Sequence, residues 1–452
     1  MDKTHLIKPL MEKDYPMISH GNGIYLYDKT GKRYIDGSSG AVTANIGHHI
    51  HEIIDAMNQQ AKKISFVYRS QFTNEPAEIL AEKISKLFNQ TKHNWAFFVN
   101  SGSEATETAM KIAIQHWQEK GMKGKNKILS RWMSYHGITI GALSMSGHPE
   151  RRARFVPLLE DFPTISPPYC YRCPYNSSFP SCNLMCAFEL EKAINRIGAD
   201  QIAAFIAEPI IGAAGGAIVP PKGYYQSIKK ICKKHNILFI VDEVMTGFGR
   251  TGKMFAFEHW CTEPDIVALG KGMSAGYAPI AATVVSEEVM EPIKKGSKIV
   301  MSGHTYSANP QSAAASLAVI DYLEKNNLVD KAMNSGQYLT MKLKKLQTYY
   351  PIIGDVRGKG LLIGVEFVSD MMKKLPFKKD VNVTNLFISQ AQQNGLLLYP
   401  AQAGIEGVGG DAILVAPPLT SELSELDELV AIFEKTIREI QNLLQRKGVI
   451  TV

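Results

Sequence analysis

The sequence predicts an α/β protein, with a large lobe on a mainly parallel sheet and a smaller α+β lobe drawn from both ends of the chain. Three observations carry this. Short, unbroken apolar runs recur at Trp95–Val99, Ile202–Ala207, Ile237–Val241, Ile266–Leu269 and Ile280–Val285. Helical patterns separate many of them, as at Ala105–Glu119 and Gly223–Lys234. Strands covered on both faces read as continuous apolar runs, and helical crossovers make their neighbours parallel. After about residue 330 the texture changes to "DVRGKGLLIGVEFV" and "GLLLYP…AILVAPPL", strands of a different lobe. The expected division is 1–60 as an N-terminal segment of the small domain, 61–330 as the large domain and 331–452 as the C-terminal small domain.

In chain order, "GIYLYDKTGKRYIDG" alternates around Asp28-Lys29-Thr30-Gly31 and predicts a β-hairpin. "NEPAEILAEKISKLF" carries Pro76 early and apolar residues at 79, 80, 84, 87 and 88, a helix with one buried stripe. The end of the chain, "SELSELDELVAIFEKTIREIQNLLQRKG", predicts a long amphipathic helix. A length of 452 residues favours two or three lobes. The net charge of +7 is spread thinly, with no basic run of the kind that binds nucleic acid. The N-terminus is charged throughout, and no apolar stretch reaches the roughly 18 residues of a membrane helix, so a cytoplasmic location is expected. Four cysteines cluster at Cys170, Cys173, Cys182 and Cys186, spaced either for a structural zinc or as reduced thiols packed in a loop.

Open α/β sheets bind ligands beyond the carboxyl ends of their strands, so the residues there come first. In "WAFFVNSGSEATETAMKIA" a strand meets Ser101-Gly102-Ser103 and a helix begins at once. The motif is either a helix cap or an anion cup of free N–H groups and hydroxyls. Tyr135, His136 and Gly137 follow a strand-like segment, either as ordinary packing or as a ring stacked on a flat heterocycle. Glu208 in "AFIAEPI" is an acid at a strand end. "FIVDEVMTGFGRTGKM" offers three readings: a dinucleotide fingerprint, a Walker loop, or a glycine turn beside the important Asp242. A carboxylate behind five apolar residues needs a partner, and a protonated ring nitrogen would serve. At ~4 Å and an effective dielectric near 20 that attraction is about 4 kcal/mol. Lys271, between Gly270 and Gly272 after another buried strand, is placed to lose its proton and react with an aldehyde, the glycines leaving space around the amine.

Phosphate cup, stacking aromatic, carboxylate for a ring nitrogen and an imine-forming lysine are together the needs of pyridoxal 5'-phosphate. Along nearly its whole length the sequence resembles the class III (omega-type) aminotransferases, pyridoxal-phosphate enzymes of fold type I. The resemblance rests on "NSGSEATETAMKIA", "YHG", "AEPI", "VDEVMTGFGRTG", "PDIVALGKGMSAG" and "GHTYSANP". It implies that Ser101, Gly102 and Ser103 lie at the phosphate, that Tyr135 stacks on the ring beside His136 and Gly137, and that Asp242 holds the ring nitrogen. It further implies that Val244 packs on the other ring face, that Glu208 lies near cofactor and substrate, and that Lys271 carries the aldimine. Thr305 matches a residue that the family donates across a homodimer interface to the partner's phosphate. The two phosphate-loop readings fail at the sequence level, because "KMFAFEHW" shows no helical stripe and Met254 replaces the required hydroxyl.

The implied reaction passes an amino group from an amine or omega-amino acid to a 2-oxo acid, with pyruvate the expected acceptor, by ping-pong kinetics. Alternatives are an aminomutase or decarboxylase of the same fold, or a domain that merely binds a nucleotide. Candidate substrate residues are Ala41, Val42, Tyr68 and Arg69. Many relatives carry a mobile arginine in the late "…APPL" segment to grip a carboxylate, yet here no arginine occurs between Gly395 and Leu419. Arg69 or another base is expected to replace it, unless the oxo-acid specificity differs.

Overall fold

The computed structural model describes residues 5–88, 93–405 and 408–450. The chain opens with β1 (Ile18–Asn22), β2 (Tyr25–Asp28) and β3 (Arg33–Asp36). The expected hairpin is β2–β3, with Tyr25 opposite Ile35 and Tyr27 opposite Arg33. Asp28 shapes its turn: Oδ1 accepts from the backbone N–H groups of Thr30 at 2.9 Å and Lys32 at 3.0 Å. Local acceptance of this kind is why aspartate favours turns.

The large sheet comprises β4 (His93–Val99), β5 (Lys127–Arg131), β6 (Thr164–Ile165), β7 (Ile202–Ala207), β8 (Leu238–Asp242), β9 (Ile266–Leu269) and β10 (Ala281–Ser286). Their order is β4-β10-β9-β8-β7-β5-β6. The pairs β6–β5, β5–β7, β7–β8 and β8–β9 are parallel, and β10 alone runs against its neighbours β9 and β4. Strands β7 to β10 are buried at every residue, which is why they read as unbroken apolar runs. Alternate residues feed two cores. Ala204, Ile206 and Ile240 pack with Ala109 and Ile112 of the helix Gly102–Glu119. Phe205, Phe239 and Val241 pack with Ile228 and Ile231 of the helix Tyr224–Lys234. Strand β8 starts one residue later than the apolar run suggests, so Asp242 is its last residue. The helix expected from residue 74 is Glu75–Leu87, capped by Asn74 Oδ1, which accepts from Ala77 N–H at 3.1 Å. It buries Ala77, Leu80 and Ile84, whereas Ile79 is exposed, so the stripe is rotated from the one the sequence suggests.

The last strands are β11 (Ile353–Lys359), β12 (Leu362–Phe367), β13 (Leu396–Leu397), β14 (Tyr399–Ile405) and β15 (Val408–Val415). An antiparallel sheet runs β11-β12-β15-β14, and β13 pairs in parallel with β3, so the two ends of the chain share a sheet. The terminal helix is Leu423–Arg446, with Leu426, Leu429, Phe433, Ile437, Ile440 and Leu444 buried at three- and four-residue intervals. No described helix is long and apolar enough to cross a membrane.

The glycine-rich stretch after β8 is a turn. Gly249 and Gly252 adopt φ of +85° and +80°, and a Cβ on Gly252 would lie 2.8 Å from Met333 Cε, on the helix Leu328–Tyr349. A five-residue 3-10 turn, Ala256–Trp260, follows in place of the long helix a phosphate loop requires. Arg250 is fully buried within the turn and joins distant segments. Its Nη1 donates to the carbonyls of Leu361 at 3.0 Å and Pro417 at 2.6 Å, and its Nη2 to Asn45 Oδ1 at 2.7 Å and Ser39 Oγ at 3.0 Å.

Candidate active site

With every strand but β10 pointing the same way, the carboxyl ends of the large sheet share one edge. There β4 delivers Gly102 and Ser103, and the segment after β5 delivers Tyr135, His136 and Gly137. Strand β7 leads into Glu208, β8 into Asp242 and Val244, and β9 into Lys271. All nine line one cavity of about 170 Å³. Ala213 and Met245 line it too, and no motif marked them because small and apolar residues carry no chemical signature in a sequence.

Asp242 is buried between two donors. Oδ2 lies 2.8 Å from His136 Nδ1, and Oδ1 accepts from Val244 N–H at 3.0 Å. Facing a carboxylate, Nδ1 is the proton-bearing nitrogen, and the buried Nε2 meets no partner among the described residues. Glu208 is also buried: Oε2 accepts from Tyr135 N–H at 3.4 Å and Oε1 from Gly212 N–H at 3.3 Å. Burial pushes its carboxyl up to about 7, with Asp242 adding to the rise and His136 and Arg131 opposing it. Desolvation lowers the Lys271 amine from its ordinary value, while the negative charge of Asp242 resists. That amine has no hydrogen-bond partner among the described residues. Lys271 adopts φ of +42°, a left-handed conformation costing about 1 kcal/mol for a residue with a side chain. Its flanking glycines make room for neighbouring segments. A Cβ on Gly272 would lie 2.3 Å from Asn45 Nδ2, and one on Gly270 would press on Val244 at 3.3 Å.

Ser101 and Ser103 divide the roles that the sequence left open. Ser101 Oγ accepts from Glu104 N–H at 3.3 Å, a helix cap, and the residue does not line the cavity. Ser103 does line it, with Oγ accepting from Ile138 N–H at 3.0 Å. Gly102 and Gly137 allow tight closure, since added Cβ atoms would lie 2.7 Å from Val244 Cγ1 and 2.5 Å from Ser103 Oγ. For the pyridoxal phosphate that the resemblance implies, the residues present fit. The cavity offers a helix start with a hydroxyl, an aromatic side chain, a buried carboxylate and a half-buried lysine whose amine has no hydrogen-bond partner among the described residues.

The remaining candidates lie elsewhere on this chain. Val42 is buried in the core, Ala41 is exposed, and neither lines the cavity. Tyr68 is exposed; Arg69 donates from Nη2 to the Ser302 carbonyl at 2.5 Å and stands 5.0 Å from the Phe97 ring centre. Thr305 is exposed on a turn beside them. The four clustered cysteines line a separate void of about 20 Å³. Among the described residues no group of three or more His, Cys, Asp or Glu is arranged to hold a metal ion.

Comparison with known proteins agrees with this geometry. The family model described as aminotransferase class-III matches residues 11–437. The chain is 52% identical over 443 residues to the uncharacterized aminotransferase YodT of Bacillus subtilis (strain 168), covering 98% of this chain and 99% of that one. It is 36% identical over 430 residues to the taurine–pyruvate aminotransferase of Bilophila wadsworthia, covering 93% and 92%. Among solved structures, an amine transaminase from an uncultivated Pseudomonas species in its PLP-bound form is similar, with a TM-score of 0.92 and 33% identity over 97% of this chain and 99% of that one. Lys271, Asp242 and the start of the helix Gly102–Glu119 thus meet on a scaffold shared with transaminases, and the chain belongs to the class III aminotransferases.

Proposed function

We propose that this aminotransferase takes an amino group from an amine or omega-amino acid and passes it to a 2-oxo acid, pyruvate foremost, in two half-reactions at one site. The observation that supports this most is the meeting of Lys271 and Asp242 in a single 170 Å³ cavity at the strand ends. Pyruvate is favoured because the relative from Bilophila wadsworthia is named for it. The cofactor is pyridoxal phosphate, which when bound supplies an aldehyde that takes up amines and a ring that accepts electrons.

The chain's own residues do the rest. Gly102 and Ser103 receive the phosphate at the start of the helix Gly102–Glu119, where backbone N–H groups favour an anion. Tyr135 and Val244 confine the ring between them. Asp242, held by His136 and by Val244 N–H, offers a fixed negative charge to a protonated ring nitrogen. Lys271 would hold the cofactor, and its Nζ, once free, would take a proton from the substrate's amine-bearing carbon as general base and deliver it as general acid to a different carbon. Its lowered pKa makes the neutral form easier to reach near neutral pH. Glu208, raised to about 7, holds or releases a proton beside them in the same range.

The reading extends to a homodimer in which Thr305 serves the partner's phosphate site. Ile64, Phe66, Tyr68, Phe72, Met301 and Tyr306 are all exposed, and Phe66 meets Tyr306 with ring centres 6.0 Å apart. An apolar surface of this kind marks an interface, and it surrounds the turn that bears Thr305. Borohydride treatment of the yellow protein followed by peptide mass spectrometry tests the central assignment. A cofactor-sized adduct on Lys271, with amine consumed and pyruvate converted to alanine in equal amounts, is expected. Release of CO2, or rearrangement of the amine without an acceptor, would point instead to a decarboxylase or an aminomutase.

A further inference from the structure

No arginine lies between Gly395 and Leu419, and Arg69 is engaged with the Ser302 carbonyl and Phe97. The molecule nevertheless holds a guanidinium beside the cofactor cavity, in a segment that no motif singled out. Arg151 belongs to the short helix Pro149–Arg152. Its guanidinium carbon stands 4.4 Å from the centre of the Tyr135 ring, and its positive charge is felt at the Lys271 amine. It also lines a second cavity of about 390 Å³, formed with His148, Gln402 and Thr384. Ala213 lines both cavities, so the two adjoin there.

The neighbouring cations are committed. Arg152 Nη1 donates to the carbonyls of Leu143, Ser144 and Ser146 at 3.0, 3.1 and 2.9 Å. Lys379 is exposed and stands 3.9 Å from Glu150. Of the two acids lining the larger cavity, Glu150 thus faces Lys379, and Asp411 accepts from Thr384 N–H at 2.7 Å. Arg151 is half-buried, and among the described residues no carboxylate pairs with it. A guanidinium withdrawn from water and stacked on an aromatic face is preorganised for a planar bidentate anion.

We propose that Arg151 is the residue that grips the substrate's carboxylate, making 2-oxo acids the preferred acceptors, with the 390 Å³ cavity receiving the rest of the acid. This rests on the transaminase reading above and adds the anion specificity of the same site. Tyr135, which lines the cofactor cavity, holds the guanidinium at the border of that cavity, and a 2-oxo acid carries its carboxylate on the carbon next to the reacting carbonyl.

The test uses the holoenzyme in wild-type, Arg151→Gln and Arg151→Lys forms. One measurement is the ratio of kcat/KM for pyruvate to kcat/KM for butanal with a common amine donor. The other is calorimetric binding of propanoate, a carboxylate that cannot accept an amine. Losing a bidentate charged contact should lower the ratio and weaken propanoate by about tenfold or more in Arg151→Gln, with Arg151→Lys falling between. A ratio and an affinity both within about twofold of wild type in Arg151→Gln overturn the proposal. A wild-type enzyme that neither prefers pyruvate over butanal nor binds propanoate overturns it as well. Wild type that transfers no amine to either acceptor defeats the transaminase reading instead, while loss of propanoate binding in Arg151→Gln would still uphold the carboxylate site.

Discussion

Two surfaces of this chain carry the residues that the family resemblance singles out, and they are built in opposite ways. At the strand ends, Asp242, Glu208 and His136 are buried and already hydrogen-bonded, and they line one cavity with Lys271. On the surface around residues 64–72 and 299–306, Tyr68 and Thr305 face outward among exposed apolar side chains. In the first region the buried acids and the lysine meet within a single chain, because the sheet pre-orders them. The other has the composition of a core without a cover. Groups assembled by strand ends are local to the fold, whereas a surface that a second copy would cover shows in one chain only as exposed apolar side chains.

The sharpest way to break this contrast is Lys271→Ala. Removing the proton carrier should lower kcat by about a thousandfold or more even with cofactor added, measured as alanine formed from pyruvate. Retained turnover would take the chemistry away from the strand ends. Asp242→Asn comes next. It keeps the shape and removes a charge worth about 4 kcal/mol, so kcat/KM should fall at least about a hundredfold. Spectra of the bound ring should show loss of its protonated form.

A pH effect separates burial from function. The Glu208 carboxyl is raised from an ordinary 4.5 to about 7, so in that window the folded chain holds a proton that the unfolded chain releases. Stability from this group is therefore full below about 4.5 and is lost as pH rises toward 7. In cofactor-free protein, Glu208→Gln should remove up to about 3 kcal/mol of that decline, read by urea unfolding at a series of pH values. Glu243, also raised to about 7 by burial, leaves a residual slope. The smallest effect is at the outward surface. Thr305→Ala should weaken cofactor binding by about tenfold, the worth of one hydrogen bond to a charged group, with the protein still dimeric in sedimentation. An unchanged cofactor affinity would confine the cofactor site to one chain.

The parallel sheet was legible because strands buried on both faces have no polar register to hide them: β7 and β9 match their apolar runs residue for residue. Two-residue β6 and the edge strand β1 carry no such signal. Within the site, Asp242 and Lys271 stood out as charged residues at the ends of apolar strands, a placement that costs too much free energy to be idle. Arg151 sits in "GHPERRARF", among surface-like charges, and nothing in that string distinguishes it from Arg152 or Arg154.

The sequence by itself determined the layer architecture and the chemistry at the strand ends, because hydrophobic period and the cost of burying charge act over a few neighbouring residues. Only the tertiary structure decided that Ser101 caps a helix while Ser103 faces the cavity, that Gly272 makes room for Asn45, and that His136 holds Asp242. Those outcomes depend on ångström-scale distances between segments up to 227 positions apart, 272 minus 45 for the glycine and its asparagine, and no local pattern encodes them.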